Sequence, residues 1–137
     1  LAKGIDLGFE TAPVTVEGSR WMLREMVANL IENAIAYTPA SGRVTARCGI
    51  GEAGEAFVEV EDDGPGIPPD ERERIFERFY RIGSAGGGGG GGVEGTGLGL
   101  AIVREVAERH AASVVVGDGA DGRGARFRID FPPQPRA

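Results

Sequence analysis

The sequence predicts an α+β fold, a two-layer sandwich in which a mixed sheet packs on about three helices. Three observations carry this. Segments of apolar–polar alternation come in two pairs, 43–50 with 56–62 and 113–116 with 125–131, each joined by turn residues. Stretches of helical period lie between those pairs and before them. The chain has 137 residues, and 33 of them are Leu, Ile, Val or Phe, which suffices for one core.

Residues 5–9 and 13–16 are expected as short strands. Ser19 is placed as a helix N-cap. From it Leu23, Met26, Val27, Leu30, Ile31, Ala34 and Ile35 recur on one helical face. Pro39 disfavours helical geometry at Thr38, so this helix should end near Tyr37. Strands 43–50 and 56–62 form a hairpin across Gly51 to Glu55. Asp62 to Pro69 is a Gly/Pro loop. Residues 70–80 are expected as a short helix with Ile75, Phe76 and Phe79 turned inward. Residues 83–95 hold nine glycines, seven of them consecutive from Gly86 to Gly92, and are expected as a flexible loop. Leu98 to Glu108 is a helix stacking Leu98, Ile102 and Val106. Strands 113–116 and 125–131 flank a Gly/Asp turn.

Rare residues exclude several functions. One Cys (Cys48) and one His (His110) rule out a disulfide and a Cys/His zinc site within the chain. The one lysine, Lys3, is far from any glycine-rich loop. That excludes a P-loop and a eukaryotic-type protein kinase, which both need a lysine at the nucleotide. A formal net charge of -6 argues against nucleic acid as a partner. No stretch approaches the apolar length of a membrane span, and no membrane contact is expected of this segment. The opening Leu1 reads as mid-sequence, so the chain is expected to be a piece of a longer protein.

Three constellations carry chemistry. Asn29 and Asn33 sit at i and i+4 on one helical face that borders the apolar stripe. They are either solvated or capping amides, or hard oxygen ligands reaching into a cleft and suited to Mg²⁺. Asp62-Asp63-Gly64-Pro65-Gly66-Ile67 places a carboxylate at a strand end before two glycines. It is either an ordinary Asp-Gly turn or an acceptor for an exocyclic amine such as adenine N6, with glycines admitting a planar ligand. Gly95-Thr96-Gly97-Leu98-Gly99-Leu100 opens a helix. It is either a hinge or an anion site built from free N–H groups and the positive helix end.

In this order, with Ile75-Phe76-Glu77-Arg78-Phe79-Tyr80-Arg81 between the second and third, the chain resembles the catalytic and ATP-binding domain of bacterial sensor histidine kinases. NLIENAIAYTP is similar to the N box of that family, DDGPGIP to its G1 box, RIFERFYR to its F box and GTGLGLAIV to its G2 box. The resemblance covers roughly residues 5–131 and implies one Bergerat-type ATP-binding domain over 1–137. It implies ATP and Mg²⁺ as cofactors, with Asn33 on the metal and Asn29 beside it at the nucleotide. Asp62 would accept from adenine N6, and Gly64 and Gly66 would make room for the base. Ile67 and Leu100 would flank the ring, and Tyr37 would lie beside the nucleotide. Arg81 would reach toward the phosphates. Gly95, Gly97 and Gly99 would hinge a lid over 82–95 and offer amides to the phosphates, with Thr96 and Leu98 also among the nucleotide-binding residues. The partners implied are the dimerisation domain that carries the phosphoacceptor histidine, absent from this sequence, and indirectly a response regulator. The full-length protein would be a membrane sensor with this domain on the cytoplasmic side.

The sequence departs from the family pattern at Ala36, where many members carry a cation three residues after the metal-binding Asn. Arg81 or Arg78 is left to compensate. It departs again at His110-Ala111-Ala112, which puts alanines into a turn built for glycine. His110 is read as a cap at a helix C-terminus rather than as a phosphoacceptor. Two enzyme classes compete with the kinase reading: hydrolysing relatives and anti-sigma serine kinases. Both tend to carry a general-base Glu where this chain has Asn29, and the serine kinases lack the F box. A non-catalytic nucleotide-binding or partner-docking module is the alternative from a different class.

Overall fold

A computed structural model describes residues 4–80 and 98–133. Its elements in chain order are β1 (Asp6–Thr11), α1 (Arg20–Tyr37), β2 (Arg43–Ile50), β3 (Ala56–Asp62), α2 (Gly99–Arg109), β4 (Ser113–Asp118) and β5 (Ala125–Asp130), with 3-10 turns at Pro69–Glu71, Arg74–Phe76 and Ala120–Gly122. The five strands form one mixed sheet in the order β1-β2-β3-β5-β4. β1 pairs with β2 in parallel, which the crossover through α1 permits. The other pairs are antiparallel.

Side-chain alternation divides the sheet into two unlike faces. On β3, Ala56, Val58, Val60 and Asp62 share the face toward the helices, beside Val44 and Ala46 of β2 and Phe127 and Ile129 of β5. Met26, Leu30 and Ala34 of α1, with Leu100, Val103, Val106 and Ala107 of α2, close the core over that face. Phe76 meets Phe127 edge to face, ring centres 6.3 Å apart. Phe57, Glu59 and Glu61 share the opposite face, across from Arg47, Arg126 and Arg128. This is the expected α+β two-layer arrangement.

The boundaries of α1 are set as its sequence dictates. Ser19 Oγ accepts from Met22 N at 3.2 Å, and Thr38 ends the helix in an extended conformation ahead of Pro39. Three local expectations are corrected. Residues 13–16 form no strand, because Pro13 has no N–H to continue the ladder. The last pairing contact is Ala12 N to Cys48 O, and Val14 and Val16 pack against the core without pairing. Residues 70–80 are two 3-10 turns rather than a third α-helix. Glu77 becomes extended and Phe79 takes a left-handed φ of 66°, which turns Phe79 outward to 69 % exposure. On α2 the buried stripe is Leu100, Val103 and Ala107 with Val106, so Ile102 faces outward.

The α2 C-terminus shows the effect of Ala111. Ala111 adopts φ 55°, while Ala112 N donates to Ala107 O and Ala111 N to Glu108 O. This is a Schellman-type ending whose left-handed position favours glycine. His110 completes the junction. Its Nδ1 lies 2.8 Å from Val106 O, and its Nε2 accepts from Ser19 N at 3.1 Å. The second bond makes Nδ1 the protonated nitrogen and ties the end of α2 to the start of α1. The sequence reading foresaw the cap but not the tie. Left-handed geometry costs an L-residue roughly 1–2 kcal/mol, partly offset by the greater entropy of an unfolded glycine. Ala111→Gly should therefore stabilise the fold by about 1 kcal/mol, seen as a higher urea midpoint at unchanged slope.

Candidate nucleotide site

The site is organised around the end of β3. Period-two alternation puts Asp62 on the helix-facing side, last in the row Ala56, Val58, Val60, and it is 6 % exposed. Two backbone donors engage one of its oxygens: Gly64 N at 2.9 Å and Ala125 N at 3.3 Å both point to Oδ1. Among the described residues Oδ2 takes no protein donor in hydrogen-bond range, which suits it to a donor brought by a ligand. Burial pushes the Asp62 carboxyl above the usual aspartate value. The Gly64 and Ala125 N–H groups offset part of that rise, and the charges of Asp63 and Glu61 add to it. Asp63 faces elsewhere: its Oδ1 accepts from Arg43 N at 2.8 Å and steadies the start of β2.

The glycines of the loop are explained by close backbone approach. A Cβ on Gly64 would stand 2.8 Å from Tyr37 O at the end of α1. Gly66 has φ 82°, and a Cβ there would stand 2.9 Å from Gly124 O. The loop is thus wedged between the α1 C-terminus and the β4–β5 turn. Arg72 holds it from a third side, donating Nε to Ile67 O at 3.0 Å and Nη2 to Asp118 Oδ1 at 2.7 Å. Ile67 and Leu100 are both buried members of the core.

Of the helical residues, Asn29 turns Nδ2 back onto Glu25 O at 2.8 Å, and its Oδ1 abuts Gly99, where a Cβ would stand 2.9 Å away. That oxygen is the far end of the side chain, so a Cβ at Gly99 would turn the Asn29 amide rather than shift a helix. Asn33 is half-buried one turn further along α1, as are Tyr37 near the helix end and Leu98 before α2. The chain thus joins Asn29 with Gly99, Tyr37 with Gly64, and Asp62 with Gly64. Two cavities near the G1 loop are a 570 Å³ groove past Gly66 and Ile67 and a 590 Å³ crevice on the far face of the sheet that touches Asp62; Asn29 and Asn33 line neither. Arg81, Gly95, Thr96, Gly97 and the expected lid over 82–95 lie outside the described residues. Among the described residues no three His, Cys, Asp or Glu side chains gather as a metal cage. A Mg²⁺ at Asn33 would thus draw its other ligands from phosphate and water, the usual habit of that ion.

Sequence reasoning missed Gly124, Thr38 and Arg72. Thr38 is fully buried and donates Oγ1 to Ala34 O at 2.7 Å. Gly124 has φ 74°, and a Cβ there would collide with the Asp62 carbonyl oxygen. The local signal was Gly122-Arg123-Gly124, but only the β3–β5 pairing shows which glycine touches Asp62. Gly122 has φ 71° with open space around it. Gly122→Ala should cost conformational strain alone, about 1 kcal/mol. Gly124→Ala adds the collision, should cost at least about 2 kcal/mol, and should displace the Ala125 N–H from Asp62. Urea unfolding of the two variants checks this; equal losses would contradict it.

Comparison with known proteins agrees with this geometry. The profile of the family described as "Histidine kinase-, DNA gyrase B-, and HSP90-like ATPase" matches residues 18–135. The chain is 40 % identical over 130 residues to the sensor protein kinase PmrB of Pseudomonas aeruginosa, covering 95 % of this chain and 26 % of PmrB. It superposes on a mycobacterial sensor histidine kinase, MprB, with TM-score 0.82 at 34 % identity, covering 97 % of this chain and 86 % of the other. Full-length ShkA, solved in complex with AMPPNP, superposes with TM-score 0.76 at 33 % identity over 99 % of this chain and 27 % of ShkA. The chain spans about a quarter of the length of PmrB, the curated relative named here. Because the profile match takes in both helices and the four strands from β2 to β5, the chain belongs to the histidine kinase-, DNA gyrase B- and HSP90-like ATPase family.

Proposed function

We propose that this chain is the catalytic module of a sensor histidine kinase, a single domain that binds Mg-ATP and presents its γ-phosphate to a histidine on a separate dimerisation domain. The observation that carries this reading is Asp62: a buried carboxylate, gripped by two backbone N–H groups on one oxygen, beside glycines that let the backbone approach closely. Oδ2 accepts from adenine N6. Gly64 and Gly66 leave the loop low enough for the base, and Ile67 and Leu100 flank it. Asn33 ligates Mg²⁺, which neutralises phosphate charge when bound. Asn29 supports the site from beside Gly99, with Tyr37 and Leu98 along its wall. Arg81 and the Gly95, Thr96 and Gly97 amides are assigned to the phosphates from sequence alone.

Phosphoryl transfer asks a protein mainly for positioning and charge stabilisation, so one domain can hold the nucleotide while another supplies the acceptor. The partner is the helical phosphoacceptor domain, with a response regulator receiving phosphate later. Among the described residues no helix is long and apolar enough to cross a membrane. We assign the domain to the cytoplasmic side of a membrane sensor, a reading that its similarity to the sensor protein kinase PmrB supports. Hydrolysis is disfavoured by Asn29, because an amide cannot take a proton from water.

Calorimetric titration with Mg-ATP tests the proposal. The wild-type chain should bind without steady-state phosphate release. Asp62→Ala should lose at least about 1.5–3 kcal/mol of binding, the range for hydrogen bonds to charged groups. Asp63→Ala should bind nearly as well as wild type, because that carboxylate caps β2. Equal losses for both substitutions, or rapid hydrolysis abolished by Asn33→Ala, would overturn the reading.

A further inference from the structure

The outer face of the sheet carries an ion-pair lattice that nucleotide binding does not explain. Arg47 donates Nη1 to Glu59 at 2.9 Å and to Glu61 Oε1 at 2.6 Å, and Nε to Glu10 at 2.8 Å. Arg126 and Arg128 flank Glu59, and Arg128 also lies over the Phe57 ring, 4.0 Å from its centre. Within this lattice Glu61 differs from Glu59. Its other oxygen, Oε2, leaves the sheet and accepts from Ala120 N, in the turn between β4 and β5.

That turn is the one that reaches Asp62. Its conformation is demanding, with positive φ at Asp121, Gly122 and Gly124. Internally it is closed by Gly122 N to Gly119 O, Arg123 N to Ala120 O and Gly119 N to Gly124 O. From β3, two consecutive carboxylates seize it from opposite faces of the sheet: Glu61 holds Ala120 N on the outer side and Asp62 holds Ala125 N on the helix side. Gly124 packs against both the Asp62 carbonyl and Gly66 of the G1 loop. Both ends of the turn are therefore anchored, and the end remote from the nucleotide depends on Glu61.

We propose that Glu61 is a positioning residue for adenine recognition, acting from the opposite face of the sheet by pinning Ala120 so that the turn presents Ala125 N–H to Asp62 and orients its carboxylate. Arg47 fixes the Glu61 side chain for that task. Burial alone would push the Glu61 carboxyl up, but the Arg47 and Ala120 hydrogen bonds and the Arg126 charge hold it below the usual glutamate value.

The proposal rests on the adenine reading of Asp62, and base selectivity tests the two separately. The readout is the ratio of Mg-ITP to Mg-ATP dissociation constants by calorimetry, since inosine has a carbonyl where adenine has the amine. Wild type should favour ATP by about tenfold or more, the equivalent of one good hydrogen bond. Glu61→Ala should bring the ratio near one while triphosphate binding persists. Glu61→Gln, which can still accept from Ala120 N, should restore most of the preference. Ala120→Pro removes the N–H itself and leaves the sheet charges intact. Position 120 opens a 3-10 turn and follows Gly119 in an extended conformation, so the backbone admits proline, whose ring takes the place of the N–H and turns the Glu61 carboxylate away. This variant should match Glu61→Ala, and it keeps the test decisive if Glu61→Ala fails to fold. Glu59→Ala loses comparable ion pairs but not the turn, and should keep the wild-type ratio. An unchanged ratio in Ala120→Pro, or an equal loss in Glu59→Ala, overturns the role of Glu61. A wild-type ratio near one overturns the adenine reading, and this proposal with it.

Discussion

One buried carboxylate sets the terms for the rest of the domain. Asp62 occupies the last position of an apolar row, where alternation on β3 would otherwise place a Val or Ile. Its burial penalises the charged form, which the raised carboxyl value expresses. For a group raised in the folded state, the stability it contributes is present below its ordinary value and lost as pH rises through the folded one. At neutral pH the ligand-free fold therefore carries a cost at Asp62, which a donor from the proposed nucleotide would offset. Glu61 has the opposite sign. Its lowered value means that its contribution is present above the ordinary glutamate range and disappears as pH falls through the folded value. Adjacent residues on one strand thus carry opposite pH dependences, with ionisation disfavoured at Asp62 and favoured at Glu61.

The supporting structure combines close approaches at glycines with a few long side-chain reaches. Gly64 lies against Tyr37 O, Gly66 against Gly124, Gly124 against Asp62, and Gly99 against Asn29. Each approach links two elements, and together they connect α1, the G1 loop, the β4–β5 turn and α2. His110 ties the far ends of the same two helices through Ser19 N and Val106 O. Interiors packed this way transmit small displacements. A single methyl group at Gly124 would therefore displace the backbone around Asp62.

Much of this was legible in the sequence where the cause is local. The span of α1 follows from its apolar stripe, the Ser19 cap and the restriction that Pro39 puts on Thr38. The β2–β3 hairpin follows from alternation broken by Gly51 to Glu55, and its strands fall at the expected residues. The opposed directions of Asp62 and Asp63 follow from the period of two. What was not legible has a non-local cause. Pro13 cuts β1 from the residues after it, although their alternation continues. Residues 70–80 have helix-forming composition, yet a left-handed Phe79 and an extended Glu77 end the turn early. The phase of α2 was misjudged because Leu98, Ile102 and Val106 are as well spaced as Leu100, Val103 and Ala107; only packing against α1 and the sheet decides between them. Gly124, Arg72 and the hold of Glu61 on Ala120 depend on which strands pair, and no spacing along the chain encodes that.

The central claim is that the Asp62 carboxylate receives a donor from the nucleotide base. The most direct measurement is a carbon-13 NMR titration of the Asp62 side-chain carboxyl, free and saturated with Mg-ADP. In the free protein it should titrate above the usual aspartate value, as burial requires. A hydrogen bond donated to the charged form favours that form. Saturation with Mg-ADP should therefore move the Asp62 midpoint downward, while saturation with Mg-IDP should leave it near the free value. A midpoint that is unmoved by Mg-ADP, or moved equally by both nucleotides, would contradict the account.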